Sequence, residues 1–340
     1  MNDIDKKAVL AEKCFFGEDV PADYEKSYEI CQKIIGSGHF RAQFVLGNHY
    51  YLGQVVGQDF DEAFKWLSLS AEQGYAKAQL YLGIMYFNGQ GVTQNTREAL
   101  SWFHRSAEQG YSPAQTLIGV LYKYGHGLPK NDDEAVKWFQ LAARKGQVQA
   151  QTYLGHMHEE GAGVPQNKAE AVKWYQLAAE QGDHRAQANL GFMYYHGEEV
   201  EKDRARAAEL YHLAAEQGDH RAQANLGFMY DQGEGVAQNK AEAARWYHRA
   251  AEQGNTRAQV NLGVKYHYGG GVDKSLDKAA SLYRQAADQG DPAAQFFLGL
   301  CYFNGDGVEK DQLQALKWIR LSAGQGYPAA EDALVRLKNG

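Results

Sequence analysis

Along most of the chain, apolar residues recur at i, i+3, i+4 and i+7, the period of a helix with one buried face. Around Asp61, residues Ala63, Phe64, Trp66, Leu67, Ser70 and Ala71 fall on one side, with Glu62, Lys65, Ser68 and Glu72 opposite. Gly74 then supplies the left-handed conformation that stops a helix. A second helical stretch follows from Ala76 to about Asn88, with Ala78, Leu82, Met85 and Tyr86 as its apolar stripe. Gly83, inside it, has no side chain and so lets a neighbouring helix approach closely. The connector Gly89-Gln90-Gly91-Val92 reads as a turn whose valine plugs the end of the core. The pattern predicts a helical hairpin, and no segment has the alternation of a strand.

The pattern returns at a fixed period. Gly38, Gly74, Gly110, Gly146, Gly182, Gly218, Gly254, Gly290 and Gly326 are each 36 residues apart, and a second series from Gly47 to Gly299 keeps the same spacing. The block Leu177 to Tyr194 recurs letter for letter as Leu213 to Tyr230. A lone hairpin cannot hide both apolar faces, whereas stacked copies can, so the fold predicted is an all-α solenoid. Residues Asp3 to Phe16 fall in phase with the second helix of a unit, with Leu10 at the Leu82 phase and Gly17 at the Gly89 phase. Pro328 to Leu337 falls in phase with a last such helix, made polar by Glu331, Asp332, Arg336 and Lys338. The expectation is one domain over 1–340: a capping helix at 1–17, nine stacked repeats at 24–326, and a capping helix at 327–340. One connector departs, with Glu199 where the units on either side have glycine and Leu210 at the tryptophan phase. A local distortion is expected there.

The repeating unit Ala-x-x-Trp-Tyr/Phe-x-x-Ala-Ala-Glu-x-Gly, then Ala-Gln-x-x-Leu-Gly-x-Met-Tyr-x-x-Gly-x-Gly-Val, resembles the Sel-one-like repeat (SLR) family, a relative of the tetratricopeptide repeat. It stands most completely at Ala171, Trp174, Tyr175, Ala178, Ala179, Glu180, Gly182, Ala186, Gln187, Leu190, Gly191, Met193 and Tyr194. The resemblance spans about residues 24 to 330. It implies a right-handed α/α superhelix used for protein–protein recognition, often in bacterial adaptors and regulators, and in some members as immunity proteins that mask a toxin. Secreted relatives staple each hairpin with a disulfide, and no cysteine pair repeats with the period here.

If the Leu-Gly-x-Met-Tyr helix resembles the groove-lining helix of a tetratricopeptide hairpin, its non-core stripe is the series represented by Lys77, Leu80, Ile84, Phe87 and Asn88. The Ile84 phase carries Asn48, Ile84, Val120, His156, Phe192, Phe228, Val264 and Leu300; the Phe87 phase carries Tyr51, Phe87, Lys123, Glu159, Tyr195, Asp231, His267 and Phe303. Core phases barely change between units, while these alternate aromatic, acidic and basic residues, the composition of an interface. Partner-binding candidates are therefore Tyr51, Ile84, Phe87, Lys123, His156, Glu159, Phe192, Tyr195, Phe228, Asp231, His267, Leu300 and Phe303. Arg185 and Arg221 join them, since Arg185, Arg221 and Arg257 repeat on the same face and could clamp acidic groups bidentately, or pair with nearby Asp or Glu. Packing between neighbouring helices is the alternative reading for Phe192 and Phe228. On the opposite surface, Glu62, Glu98, Glu134 and Glu170, with Lys65, Lys137 and Lys173, form solvated charged rows.

Composition narrows the function further. With Lys+Arg 35 against Asp+Glu 42, the formal charge is −7, which argues against a phosphate-tracking nucleic-acid binder. Met1 to Leu10 lacks the apolar core of a secretory signal, and the longest apolar stretch, Phe296 to Phe303, is far shorter than the roughly 18 residues of a membrane span. Cys14, Cys31 and Cys301 are too scattered for a disulfide framework. A cytoplasmic chain, monomeric and with free core thiols, is expected. His156, His158, Glu159 and Glu160 form the densest set of potential ligands, but positions i and i+2 diverge by about 200° on a helix and cannot face one ion. No phosphate loop follows a strand, and neither Ser281 nor Ser322 sits on a strained turn beside a base. No cofactor, metal or catalytic constellation is assigned. The reading is a non-catalytic scaffold binding a protein or extended peptide; the alternatives are an immunity protein for a toxin or effector, a hydrolase built on the groove, and a self-associating spacer.

Overall fold

The computed structural model describes residues 2–339, with side chains through Arg336. Lys338 and residue 340 of the expected C-terminal cap thus lie outside the described side chains. Among the described residues there are helices and turns and no strand. The chain divides into two compact units, Met1–Asn167 and Lys168–Gly340.

The first unit contains α1 (Asp3–Phe16), α2 (Tyr24–Ile34), α3 (Phe40–Leu52), α4 (Phe60–Glu72), α5 (Ala76–Asn88), α6 (Thr96–Glu108), α7 (Ser112–Tyr124), α8 (Asp132–Ala143) and α9 (Val148–Glu160). The second contains α10 (Lys168–Glu180), α11 (His184–His196), α12 (Arg204–Glu216), α13 (His220–Gln232), α14 (Lys240–Glu252), α15 (Thr256–Tyr268), α16 (Leu276–Asp288), α17 (Pro292–Asn304), α18 (Gln312–Gly324) and α19 (Pro328–Asn339). Odd-numbered helices from α3 to α17 occupy the Leu-Gly-x-Met-Tyr phase and even-numbered helices from α4 to α18 the Trp/Tyr phase.

Each even-numbered helix starts where a short polar side chain can bond the free backbone N–H groups of the first turn. Asp59 Oδ1 accepts from Asp61 and Glu62, and Asn95, Asn131, Asp203, Asn239 and Asp311 do the same one or more periods on. Odd-numbered helices from α1 to α17 end on a left-handed glycine, as at Gly89 (φ 70°), whose N–H bonds Met85 O. Two residues on, the connector has a second left-handed position, Gly91 (φ 66°); after α11, which itself ends on Gly197, that position is held by Glu199 (φ 56°), a residue with a side chain. One unit on, Gly235 shows why glycine is preferred: a Cβ there would lie 2.2 Å from Arg204 O. The connector at Glu199 keeps its left-handed geometry, and Lys168 Nζ bonds Glu198 Oε2 at 2.6 Å beside it.

Gly83 fixes which helices pack most closely. A Cβ on it would stand 2.5 Å from Phe103 Cε1 and 3.1 Å from Ala99 O, both on α6. At Gly227 it would meet Tyr247 Cδ1 at 2.8 Å and Ala243 O at 3.2 Å, both on α14. The tight hairpin is thus an odd-numbered helix with the even-numbered helix that follows it, so the structural unit runs across the glycine connector.

Successive hairpins are joined by buried glutamines. Gln79 Nε2 donates to Ala71 O (3.2 Å), and Gln109 Nε2 donates to Gln79 Oε1 (2.7 Å). In the second unit, Gln223 Nε2 donates to Ala215 O (3.0 Å) and Gln253 Nε2 to Gln223 Oε1 (2.9 Å). These amides add a side-chain donor to Ala71 O and Ala215 O, which also accept from Gly74 N and Gly218 N, and tie each hairpin to the next.

Burial departs from the sequence reading at two phases. Leu10, at the Leu82 phase, is 36% exposed where Leu82 itself is buried. The Leu80 phase, read as groove-lining, is buried in Phe44, Leu80, Thr116, Thr152, Ala188, Ala224 and Val260. Odd-numbered helices lie between neighbours on both sides, so their buried arc is wider than one hairpin requires. Cys14, Cys31 and Cys301 are buried free thiols, and burial pushes Cys31 up to about 12 and Cys301 up to about 11.

Candidate functional site

Odd-numbered helices of a unit lie side by side, and their remaining exposed arc forms the candidate face. In the first unit this face is largely closed by its own contacts. Glu12 on α1 is 3% exposed. Its carboxylate accepts from Arg41 Nη1 on α3, from Lys77 Nζ on α5 (2.7 Å) and from Tyr75 Oη (2.6 Å). Burial pushes the Glu12 carboxyl up, but Lys77, Tyr75 and Arg41 outweigh it and hold the group below its ordinary value. Asn48, at the Ile84 phase, is fully buried and donates to Phe44 O (2.8 Å).

The other first-unit candidates are half-buried and partnered. Tyr51 Oη donates to Gln90 Oε1 (3.1 Å), and Ile84 and Phe87 pack on the cluster around Phe103 and Ile118. Lys123 Nζ lies 3.9 Å from Glu160 Oε2, and His156 Nδ1 lies 2.9 Å from the same oxygen. Glu159 shares that helix end, where its carbonyl accepts from Gln166 Nε2 (2.8 Å). These residues form a string of local contacts rather than one pocket.

The second unit is different. Phe192, Tyr195 and His196 of α11, Tyr211 of α12, Asn225, Phe228 and Met229 of α13, and Arg257 of α15 line a pocket of about 280 Å³. Phe192 is 41% exposed, and its ring centroid is 4.2 Å from that of His196. Asn225 joins the floor to the rim: its Oδ1 accepts from Arg257 Nη1 (3.3 Å), and its amide bonds the buried Tyr211 hydroxyl. The Arg257 guanidinium lies over the Phe228 ring, 5.4 Å from its centroid, and has no carboxylate partner among the described residues. Tyr195 Oη donates to Glu234 Oε2, which Arg204 also approaches at 3.5 Å, and Asp231 is paired with Lys265.

Of the predicted second-unit residues, the pocket therefore gathers Phe192, Tyr195 and Phe228. Arg221 pairs with Asp219 (3.4 Å), while Arg185 is exposed and has no ion pair among the described residues. Asp231 flanks the pocket, and His267 packs on Tyr268 (4.6 Å). Leu300 is half-buried; Phe303 lines a separate apolar pocket with Ile319 and Leu334. Sequence reading missed Tyr211 and Asn225. The available signal is a partial joint change. The Phe103 phase is tyrosine at Tyr175, Tyr211, Tyr247 and Tyr283, and the residue fourteen further on is asparagine at Asn189, Asn225 and Asn261 but Phe297 at the last. Asn225 and Asn261 bond the hydroxyls of Tyr211 and Tyr247.

Comparison with known families finds the Sel1 repeat at residues 9–39, 40–75, 76–111, 112–147, 148–183, 184–219, 220–255, 256–291 and 292–327. The chain belongs to the Sel1 repeat family. The repeat boundaries place each odd-numbered helix ahead of the even-numbered one, as the Gly83 contact does. Sel1 repeats generally mediate protein interactions, and the family is typically a non-catalytic scaffold. Among solved structures, this Sel1 protein is similar to c5321, a protective antigen present in uropathogenic Escherichia coli strains displaying an SLR fold. The two are 37% identical with a TM-score of 0.80, over 96% of this chain and 70% of that one. It is also similar to a Sel1 repeat protein from Oxalobacter formigenes, 34% identical with a TM-score of 0.66, over 91% of this chain and 90% of that one. No curated protein matches the chain. Among the described residues, no helix is long and apolar enough to cross a membrane.

Proposed function

We propose that this Sel1 repeat protein is a non-catalytic scaffold that holds a partner polypeptide against the odd-numbered helices of the second unit. One observation carries the reading: a pocket with exposed Phe192 at its rim, Phe228 beside it and an arginine without a carboxylate partner among the described residues. Aromatic anchors beside a cation are the composition of binding hot spots. The lining favours binding over catalysis: it presents phenyl, phenol, amide, thioether and guanidinium groups, and its one imidazole, His196, is packed against the Phe192 ring with no nucleophile or carboxylate among the lining residues.

The test is a pull-down from the native host with the wild type and with a Phe192→Glu/Phe228→Glu double variant, circular dichroism verifying that helicity is retained. Loss of one stoichiometric partner from the variant supports the reading. Equal recovery by both baits overturns it.

A further inference from the structure

The two units contain the same constellation in two states. Glu12 of α1, Arg41 of α3 and Lys77 of α5 correspond, five repeat periods further along, to Phe192 of α11, Arg221 of α13 and Arg257 of α15. In the first unit the constellation is complete. Glu12, almost wholly buried, is gripped by both cations and by Tyr75. In the second, the two cations are kept and the carboxylate between them is replaced by a phenyl ring.

The cations of the second unit behave as groups lacking that acid. Arg221 turns to Asp219, which caps its own helix and already accepts from Arg221 N and Ala222 N. Arg257 bonds the neutral Asn225 and covers the Phe228 ring. Glu234 and Asp231, the other acids beside the pocket, are engaged by Arg204 and Tyr195 and by Lys265. The pocket therefore has an uncompensated positive charge on Arg257 over an aromatic wall, inside a chain of net charge −7.

We infer that the Phe192–Phe228–Arg257 pocket takes the carboxylate of an aspartate or glutamate from the partner polypeptide, seated beside an aromatic or aliphatic side chain, in the place Glu12 fills in the first unit. This rests on the proposed use of the face and specifies what is recognised there. The acid bonds Arg257, its neighbouring apolar side chain stacks on Phe192, and Arg221 is drawn from Asp219 toward the same oxygen atoms. Arg257, at the mouth of the pocket, and Arg221 are both exposed, open to an incoming acid, and a charge-assisted, bidentate contact is the strong form of such a bond.

The experiment uses the full chain and an end-capped, fluorescein-labelled Gly-Glu-Phe-Glu-Gly peptide, with its Gly-Gln-Phe-Gln-Gly counterpart, read by anisotropy. The acidic peptide is expected to bind at least about tenfold more tightly than the glutamine peptide, and Arg257→Gln to remove that preference. Phe192→Glu supplies the missing acid from the chain itself, so it is expected to abolish peptide binding and to melt above Phe192→Gln. Equal affinity for the two peptides, or acidic-peptide binding by Phe192→Glu at the wild-type level, overturns the inference. The pull-down partner separates this from the broader reading. If that partner is lost with Phe192→Glu and Phe192→Gln alike but kept by Arg257→Gln, the face is used without a carboxylate and only the inference falls. If all three variants keep it, the reading of the face falls as well.

Discussion

Lys145 leaves the side-chain oxygen of Gln115 without a donor. At the phase of Lys145, Gln109 donates to Gln79 and Gln253 to Gln223, joining consecutive hairpins. Lys145 instead bonds Gly110 O (2.5 Å), and Gln115, whose amide is fixed on Ala107 O (3.0 Å), keeps a buried Oε1 that accepts nothing.

Lys145→Gln is therefore predicted to stabilise the first unit by about 1 kcal/mol, the net worth of a hydrogen bond that also satisfies a buried acceptor. The urea midpoint should rise with an unchanged m-value. A lower midpoint would show that the Lys145–Gly110 bond matters more than the completed ladder.

Gly83→Ala and Gly191→Ala should differ in effect. At Gly83 a methyl group meets the Phe103 ring at 2.5 Å, so overpacking of about 1–3 kcal/mol outweighs the helix-propensity gain of about 1 kcal/mol. At Gly191 the nearest atoms are Tyr211 Cδ1 at 3.1 Å and Ala207 O at 3.4 Å, and the two effects nearly cancel. Chemical denaturation of both variants measures the difference.

Glu12 makes the first unit acid-sensitive. Its folded-state value is held below the ordinary 4.5, so its contribution is complete above about pH 4.5 and is lost as pH falls through the folded value. Glu12→Gln should cost about 2–3 kcal/mol at pH 7, less than a fully buried pair because Arg41 and Lys77 both reach water. The cost should shrink as pH drops below 4.5, which melting curves of the two proteins between pH 7 and 3 will show.

His49 acts in a higher window. It is fully buried, with Nδ1 3.0 Å from Gln54 O, Nε2 3.2 Å from Ser27 Oγ and the Phe15 ring centroid 4.7 Å away. Burial lowers its proton affinity more than the Gln54 carbonyl raises it, so the folded value lies below 6.5. The unfolded chain then binds more protons, and stability falls as pH drops from 6.5 toward the folded value. His49→Gln should flatten the melting temperature across that window; an unchanged slope would assign it to other groups.

The period, the helices and the closeness at Gly83 were legible because they repeat: 36-residue spacing fixes phase without any knowledge of contacts. The pairing of hairpins was not, since a helix flanked by two connectors can pack either way until the Phe103 contact decides. Leu80 was assigned to the wrong arc for a similar reason, because the width of a buried stripe depends on how many neighbours a helix has. Of the candidate site, Phe192, Tyr195 and Phe228 were visible as aromatic residues on a variable phase. The Glu12 constellation was not, because its members are separated by 29 and 65 residues and α1 read only as a cap.

The central claim, that a partner polypeptide lies on the odd-numbered helices of the second unit, is tested most directly by site-specific photocrosslinking in the native host. A benzoylphenylalanine is placed at Phe192 or, as the opposing control, at Leu213, an exposed position on α12. The account predicts one discrete adduct from position 192 and none from position 213. Adducts from position 213 alone, or the same adducts from both, would contradict it.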